Sequence, residues 1–352
     1  VALGASGLAI AVLMVLEPAP DVALVQVVVD ILTIVVLVLA LTRLPREQRQ
    51  RADTLAARQS RADLVRDLLI AAASGVVVAF LTLVALTTRP RGSAVTPFYE
   101  GVPFGLERHL ERLRKGLAWL RIDYDVSDLP EMHQELIARN RLDAADRSMV
   151  YLQITRGAAP RTHYFPENPV SPTVYAYARA WSRPAAEVWD RGFRAATVPD
   201  RRWSRVDIKT ICLLPNVMAF QAAKDLGADD AILVRDGVAI EGAHQNFWGV
   251  FDGVVVTHPI TGHILPGITR GVVLEEARGL GLPVEERPIQ IEELASADEL
   301  FFTGTTGEVR PVVEVDGRPV GDGRVGPTTR RLSDAFLARV SSIREAAGAV
   351  AG

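Results

Sequence analysis

Residues 205–219 read RVDIKTICLLPNVMA, and the lysine in that stretch governs how the rest of the chain is read. Lys209 stands among Val206, Ile208, Ile211 and Cys212, with apolar neighbours on most sides. The chain has only three lysines, Lys115, Lys209 and Lys224, so 36 of its 39 basic residues are arginine. Arginine stays charged in any environment, whereas a lysine gives up its proton readily on burial and can then act as a nucleophile. A chain that otherwise supplies positive charge as arginine has kept an amine here. A lysine stem laid along apolar surface would give the same local text, so the residue is decided by its company.

At 352 residues the chain is long enough for two or three domains. A net charge of −3 carries no nucleic-acid footprint. The single cysteine, Cys212, excludes an internal disulfide and any cysteine-rich metal site, and no metal ligands are assigned. The sequence opens at Val1 without a basic n-region and reads as a fragment or a processed chain.

The chain falls into two unlike halves. Residues 1–97 are apolar text, with candidate transmembrane helices over 1–16, 22–42 and 68–88. The connector from Arg43 to Asp67 carries seven arginines against four acids. The positive-inside rule places that loop in the cytoplasm and everything after residue 90 on the far side. Asp30 lies within the second apolar run, where a carboxylate is costly and marks a functional candidate or a helix end near the interface.

From residue 98 the text is a soluble mixture of helices and strands punctuated by Gly and Pro. Helices are expected over 105–120, 129–142, 216–227, 269–281 and 327–346. Strands are expected over 149–157, 173–181, 193–198, 231–237, 238–242, 247–259 and 299–317, with Asp-Gly turns among them. The small part spans 98–182 and the larger part 183–352.

Four features keep company with Lys209. Glu241, in IEGAHQNFWGV (240–250), is a lone acid between a strand and a bend, placed to hold a pyridinium N–H or simply to end a strand. ILPGITRGVV (264–273) puts Gly267, Ile268 and Thr269 at a helix start, an anion site by its free N–H groups or an ordinary N-cap. TGTTGE (303–308) ends a strand in small hydroxyl residues and glycine, suited to a phosphate or to a plain turn. In RGAAPRTH (156–163), Arg161 and His163 would face the same way on an extended segment, as a carboxylate clamp or a solvated loop.

Together with HLERL (109–113) and YLQITRGAAPRTHYFPEN (151–168), these blocks run in order from about 98 to 345 and resemble the class IV aminotransferases. These are fold-type-IV pyridoxal-phosphate enzymes, and the likeness is closest to the D-amino-acid transaminase branch. The resemblance implies an α+β fold of two subdomains and pyridoxal 5'-phosphate as cofactor. It implies Lys209 as the Schiff-base lysine and Glu241 as the partner of the ring nitrogen. Arg112, Gly267, Ile268, Thr269 and Thr305 would hold the phosphate, and Leu265 would pack on the ring. Arg161 and His163 would hold the substrate carboxylate, a pair that marks the D-amino-acid branch. The expected reaction is transamination between D-Ala, D-Glu or D-Asp and 2-oxo acids. A branched-chain L-aminotransferase or an aminodeoxychorismate lyase on the same scaffold is the alternative within the class. Such enzymes are usually homodimers, and the catalytic part alone would be cytoplasmic.

Residues 1–97 in turn resemble part of the large subunit of multisubunit sodium/proton antiporters. The carriers are APDVALVQVVVD (19–30), LTRLP (41–45) and RDLLIAAASGVVVAFL (66–81). That likeness implies a multi-pass membrane segment with Asp21 and Asp30 near a proton path. It also brings in a third reading, an antiporter fragment fused to an inactive remnant. The chain departs from the aminotransferase pattern at its start: the two strands that precede FYEGVPFGLERHLERL in the family, with their active-site tyrosine, give way to membrane-type text. The fold expected is therefore an N-terminally truncated one, Tyr99 is not assigned that tyrosine's role, and TRPRGSAVTPFYEG (88–101) fits either half. His244 stands in a bend where the family favours small hydroxyl residues.

Overall fold

A computed structural model describes residues 94–160 and 162–351. The three expected membrane helices, with Asp21 and Asp30, lie outside the described residues. Among the described residues no helix is long and apolar enough to cross a membrane. The chain divides after Arg91 into two units, and the second, from Gly92 onward, holds every element described below.

A four-stranded antiparallel sheet comes first: β1 (Ala94–Tyr99), β2 (Val102–Pro103), β3 (Ser148–Thr155) and β4 (Thr173–Ala180), in the order β2-β1-β3-β4. β1 begins inside the stretch 88–101 and pairs with β3 from Ala94↔Leu152 to Phe98↔Ser148, so residues 94–97 belong to this sheet. Two helices cover one face, α1 (Leu106–Trp119) and α2 (Leu129–Arg139). α1 starts where Gly105 turns left-handed at φ 64°. Its apolar residues recur at helical spacing, so Leu110 and Leu117 pack with Val126, Leu129 and Leu152.

A short helix, α3 (Ala186–Arg191), leads into the larger sheet. That sheet contains β5 (Phe193–Pro199), β6 (Asp230–Arg235), β7 (Val238–Gly242), β8 (Asn246–Phe251), β9 (Val254–Thr257), β10 (Val284–Glu286) and β11 (Ile289–Gln290). It is completed by β12 (Glu299–Gly304), β13 (Glu308–Val315) and β14 (Arg318–Pro319). The hydrogen-bonded order β8-β12-β13-β5-β6-β7 returns to β8 through Glu241↔Asn246, which closes six strands into a barrel. β5 runs parallel to β6 because helix α4 (Leu214–Asp225) carries the chain between them. Three Asp-Gly hairpin turns, 236–237, 252–253 and 316–317, have positive φ at both residues, as the right-handed strand twist demands. The run 247–259 is a hairpin through its Asp-Gly turn, and the run 299–317, expected simply as strand, is a hairpin through the turn 305–307 followed by the Asp-Gly turn into β14.

Strand alternation sends Trp248 and Phe301 into one core and Phe247 and Phe302 into another. The first core lies under α5 (Ile268–Gly279) and α6 (Pro327–Ala351), and it takes in Tyr99 and Phe104 from the first sheet. Phe104 meets Phe336 of α6 with ring centroids 5.3 Å apart. Burial of such aromatic side chains contributes about 1.5–3 kcal/mol each, and here it ties the two sheets together.

Candidate active site

Lys209 lies in the loop between β5 and α4, half-buried as a residue, with its amine turned inward. Burial, and then the positive charge of Arg112, bring its pKa down to about 7, against a smaller upward pull from Glu241. Residues from α1, the β5–α4 loop and β7 thus share one enclosed space.

Glu241, on β7, is buried and surrounded by donors. Asn246 Nδ2 donates to its Oε1 at 2.7 Å and the Leu265 N–H to the same oxygen at 2.9 Å. Arg202 Nη1 donates to Oε2. Burial pushes the Glu241 carboxyl up to about 7, while Arg202 and the Leu265 N–H pull it down. Arg202 is itself held along one edge of its guanidinium by Asp200, which accepts from Nε at 2.9 Å and from Nη2 at 3.0 Å, and Nη2 also donates to the His263 carbonyl at 3.1 Å. Arg235 reaches Asp200 from β6 at 3.1 Å. Glu241 is fixed at the barrel's closure by a network none of whose bonds it can lose cheaply.

Arg112, on α1, donates from Nη1 to the Pro266 carbonyl at 3.0 Å. Its Nη2 lies 3.4 Å from His109 Nδ1, which must then be the acceptor. Burial, then Arg112 and Lys209, hold the His109 imidazole well below its usual range, so it is neutral. Burial also lowers Arg112 to about 10. Among the described residues half-buried Arg112 forms no ion pair, so its charge is left for an anion to neutralise. Pro266 leads directly into α5, whose cap Gly267 makes no side-chain capping bond. The first N–H groups of that helix, on Ile268 and Thr269, are its free donors. The cap is Gly267, so Thr269 is not the N-cap residue; it is buried in the first turn.

A Cβ on Gly267 would lie 2.0 Å from Asn246 Oδ1, so only glycine lets the chain pass beside Glu241's partner. Asn246 Nδ2 also donates to the Leu265 carbonyl at 2.8 Å, which fixes Leu265 from both of its peptide groups. Thr305 is half-buried in the turn between β12 and β13. Two residues earlier Thr303 faces Asn246 in register, which puts this turn beside the closure point. An inward-turned amine, a half-buried cation beside a helix start and a carboxylate ringed by donors form a donor set that fits an aldehyde cofactor carrying a phosphate and a basic ring nitrogen.

Lys209, Glu241, Arg112, Leu265, Gly267, Ile268 and Thr269 therefore converge, with Thr305 on the adjoining hairpin. His163 is exposed on the loop after β3, and none of its described contacts joins it to that cluster. Arg161 lies outside the described residues. Sequence reasoning passed over Arg202, Asp200, Asn246 and His109. In a chain with 36 arginines nothing marks Arg202 as buried. Asn246, a polar residue opening the apolar run NFWGVF, did carry a signal.

Residues 95–315 match the amino-transferase class IV family, and the chain belongs to that family. It is a pyridoxal-phosphate-dependent aminotransferase of fold type IV. Its sequence is 39% identical over 246 residues to the D-alanine aminotransferase of Staphylococcus haemolyticus, covering 69% of this chain and 86% of that one. It is 41% identical over 245 residues to the D-alanine aminotransferase of Bacillus licheniformis, covering 69% and 84%. Among solved structures it is similar to the Escherichia coli branched-chain amino acid aminotransferase. The TM-score there is 0.64 at 29% identity, over 70% of this chain and 84% of that one. A branched-chain amino acid aminotransferase solved with pyridoxamine 5'-phosphate gives a TM-score of 0.62 at 28% identity, over 72% and 86%. Residues 1–46 match a second family, MbhD.

Proposed function

We propose that the catalytic half transfers amino groups between D-amino acids (D-Ala, D-Glu or D-Asp) and 2-oxo acids, with Lys209 as the residue bonded to the cofactor. The observation that carries this reading is the inward amine of Lys209, which feels the charge of both Arg112 and Glu241, two groups fixed by their own hydrogen bonds. Relatives at 37–41% identity that are D-alanine aminotransferases support the D-amino-acid side.

Bound pyridoxal phosphate supplies an aldehyde for amines and an electron sink for the substrate. The chain's residues do the rest. Lys209 Nζ, with a pKa near 7, is unprotonated often enough to bond the aldehyde. Once released, its amine would take the proton from the substrate Cα and hand it to the carbon of the cofactor's former aldehyde, as base and then acid. Glu241 holds the ring nitrogen's proton, and Leu265 packs against the ring. Arg112, the Ile268 and Thr269 N–H groups beyond Gly267, and the Thr305 hydroxyl hold the phosphate. Arg161 and His163 take the substrate carboxylate.

Several further points belong to the same reading. The small subdomain takes in β1 from residue 94 and runs to 182, the cofactor-binding one spans 183–352, and the protein is a homodimer. The residues before β1 are a membrane segment of the antiporter type fused to the enzyme, a reading that rests on the match over 1–46 alone. The likeness of fold to branched-chain aminotransferases favours one second reading, L-amino acids as substrates. The test is an absorbance spectrum of the purified full chain with pyridoxal phosphate, beside Lys209→Ala, followed by D-alanine with 2-oxoglutarate and chiral analysis of the product. A visible band lost in Lys209→Ala, and a D-configured product, are expected. Inactivity with D-alanine but turnover of an L-branched-chain amino acid with 2-oxoglutarate moves the substrate assignment to the second reading. No band in the folded parent would sink the enzyme and leave an inactive passenger.

A further inference from the structure

The turn that carries Thr305 is anchored by a residue with no place in the chemistry above. Glu308 ends the turn 305–307 at φ 51°, a left-handed backbone for a residue with a side chain, and pairs with Gly304 across the hairpin. It is 1% exposed. Three groups from the other side of the molecule meet its carboxylate. The Tyr99 hydroxyl donates to Oε1 at 3.1 Å, Arg147 Nε donates to the same oxygen at 3.0 Å, and Arg183 Nε lies 3.4 Å from Oε2. Tyr99 ends β1, Arg147 precedes β3, and Arg183 lies in the connector from β4 to α3. All three come from the first sheet or its exit, while Glu308 belongs to the barrel.

These donors are themselves held. The Arg147 guanidinium lies 5.6 Å from the Tyr99 ring centroid and 5.6 Å from that of Trp181. Arg183 lies over Trp189 at 5.4 Å and donates to Ser333 Oγ at 3.3 Å. Burial, and then Glu308, push the Tyr99 hydroxyl above its usual range, so it stays a donor. A buried carboxylate cannot drop such partners without leaving charges unpaired. On its other side the turn lies flat on Gln245. A Cβ on Gly307 would stand 2.3 Å from Gln245 Oε1, and one on Gly304 would stand 3.1 Å from its Cγ. Gln245 is fixed in turn by donating to buried Asp230 at 2.7 Å. Gln245 thus backs the turn and Glu308 ties its end to the first sheet.

We propose that Glu308 is a positioning residue that transmits the seating of the first sheet to the turn carrying Thr305, and so sets that turn for the cofactor phosphate. The inference rests on the reading of Thr305 as a phosphate ligand. Loss of the Tyr99 or Arg147 contact, both remote in sequence from the turn, then weakens the grip on phosphate and spares the grip on the ring and aldehyde.

The experiment titrates the full chain with pyridoxal phosphate and with pyridoxal, which lacks the phosphate. Glu308→Gln and Tyr99→Phe are compared with the parent. A second readout is the rise in melting temperature of the cofactor-free chain on adding inorganic phosphate. Glu308→Gln is expected to weaken pyridoxal phosphate about tenfold or more, and Tyr99→Phe by a smaller factor in the same direction. Pyridoxal affinity stays as in the parent, and the phosphate-induced rise shrinks in both variants. Equal weakening of both aldehydes, or of neither, overturns the proposal, because a general packing role does not distinguish them. If Glu308→Gln does not fold, Tyr99→Phe decides by the same criterion. If the parent forms no band with pyridoxal phosphate, the proposed function fails, and the response to inorganic phosphate decides the Glu308 inference separately.

Discussion

Asn246 donates to Glu241 at 2.7 Å from the strand that faces it, and that residue pair is the one that closes the barrel. The closure and the candidate site are thus one feature. Asn246→Ala removes a donor from Glu241 Oε1 and a donor from the Leu265 carbonyl. Each buried group left unsatisfied costs about 1–3 kcal/mol. Chemical denaturation of the cofactor-free chain should show a loss of that order, and pyridoxal phosphate affinity should fall with it.

Gly267→Ala tests the same corner sterically. Its backbone, at φ −66°, suits alanine, so any effect comes from the clash with Asn246 Oδ1 at 2.0 Å. The variant is expected to fold and to bind pyridoxal phosphate more weakly, because either Asn246 or the start of α5 must move. Unchanged affinity, measured by the visible band, would show that this corner yields without consequence.

The cofactor-free protein should carry a pH signature from Lys209 and Glu241. Glu241 rises from 4.5 to about 7 on folding, so the folded state holds the extra proton between those values, and stability falls as pH rises through that window. Lys209 drops from 10.5 to about 7, so the unfolded state holds the extra proton there, and stability rises with pH from about 7 to 10.5. The pair's contribution is therefore least near pH 7. Denaturation across about pH 4–10, with Glu241→Gln and Lys209→Met beside the parent, should show each slope vanish with its residue.

Arg112 acts on Lys209 through charge as well as position. It is the second cause of the lowered lysine pKa, after burial. Arg112→Met should move the midpoint of the pH dependence of aldehyde bonding upward, read with pyridoxal so that phosphate binding plays no part. With pyridoxal phosphate the same variant should also lose affinity, since a charge-assisted contact is worth about 1.5–3 kcal/mol. A midpoint that stays at the parent's value would remove Arg112 from the control of Lys209.

Local text carried most of the element order. The helix 106–119 announces itself by apolar spacing, and the Asp-Gly pairs at 236, 252 and 316 mark hairpins because each needs two positive φ angles. The short elements α3, β10 and β11 did not stand out, because a handful of residues holds too few repeats to show a period. Sequence reasoning singled out Lys209, Glu241 and the 267–269 helix start, yet gave no hint that Arg202 and Asp200 brace Glu241, or that Glu308 is buried.

What the amino-acid sequence determined by itself was the family and the presence of one amine in a chain of arginines. Those are matters of spacing and residue type, which survive without a fold. The tertiary structure alone decided that Arg112 meets the start of α5 across 154 residues and that Tyr99 meets Glu308 across 209. It also decided that Lys209 has a pKa near 7. Each of these depends on burial beside a charge brought from a distant element, and neither burial nor distance is written in a residue's own neighbours.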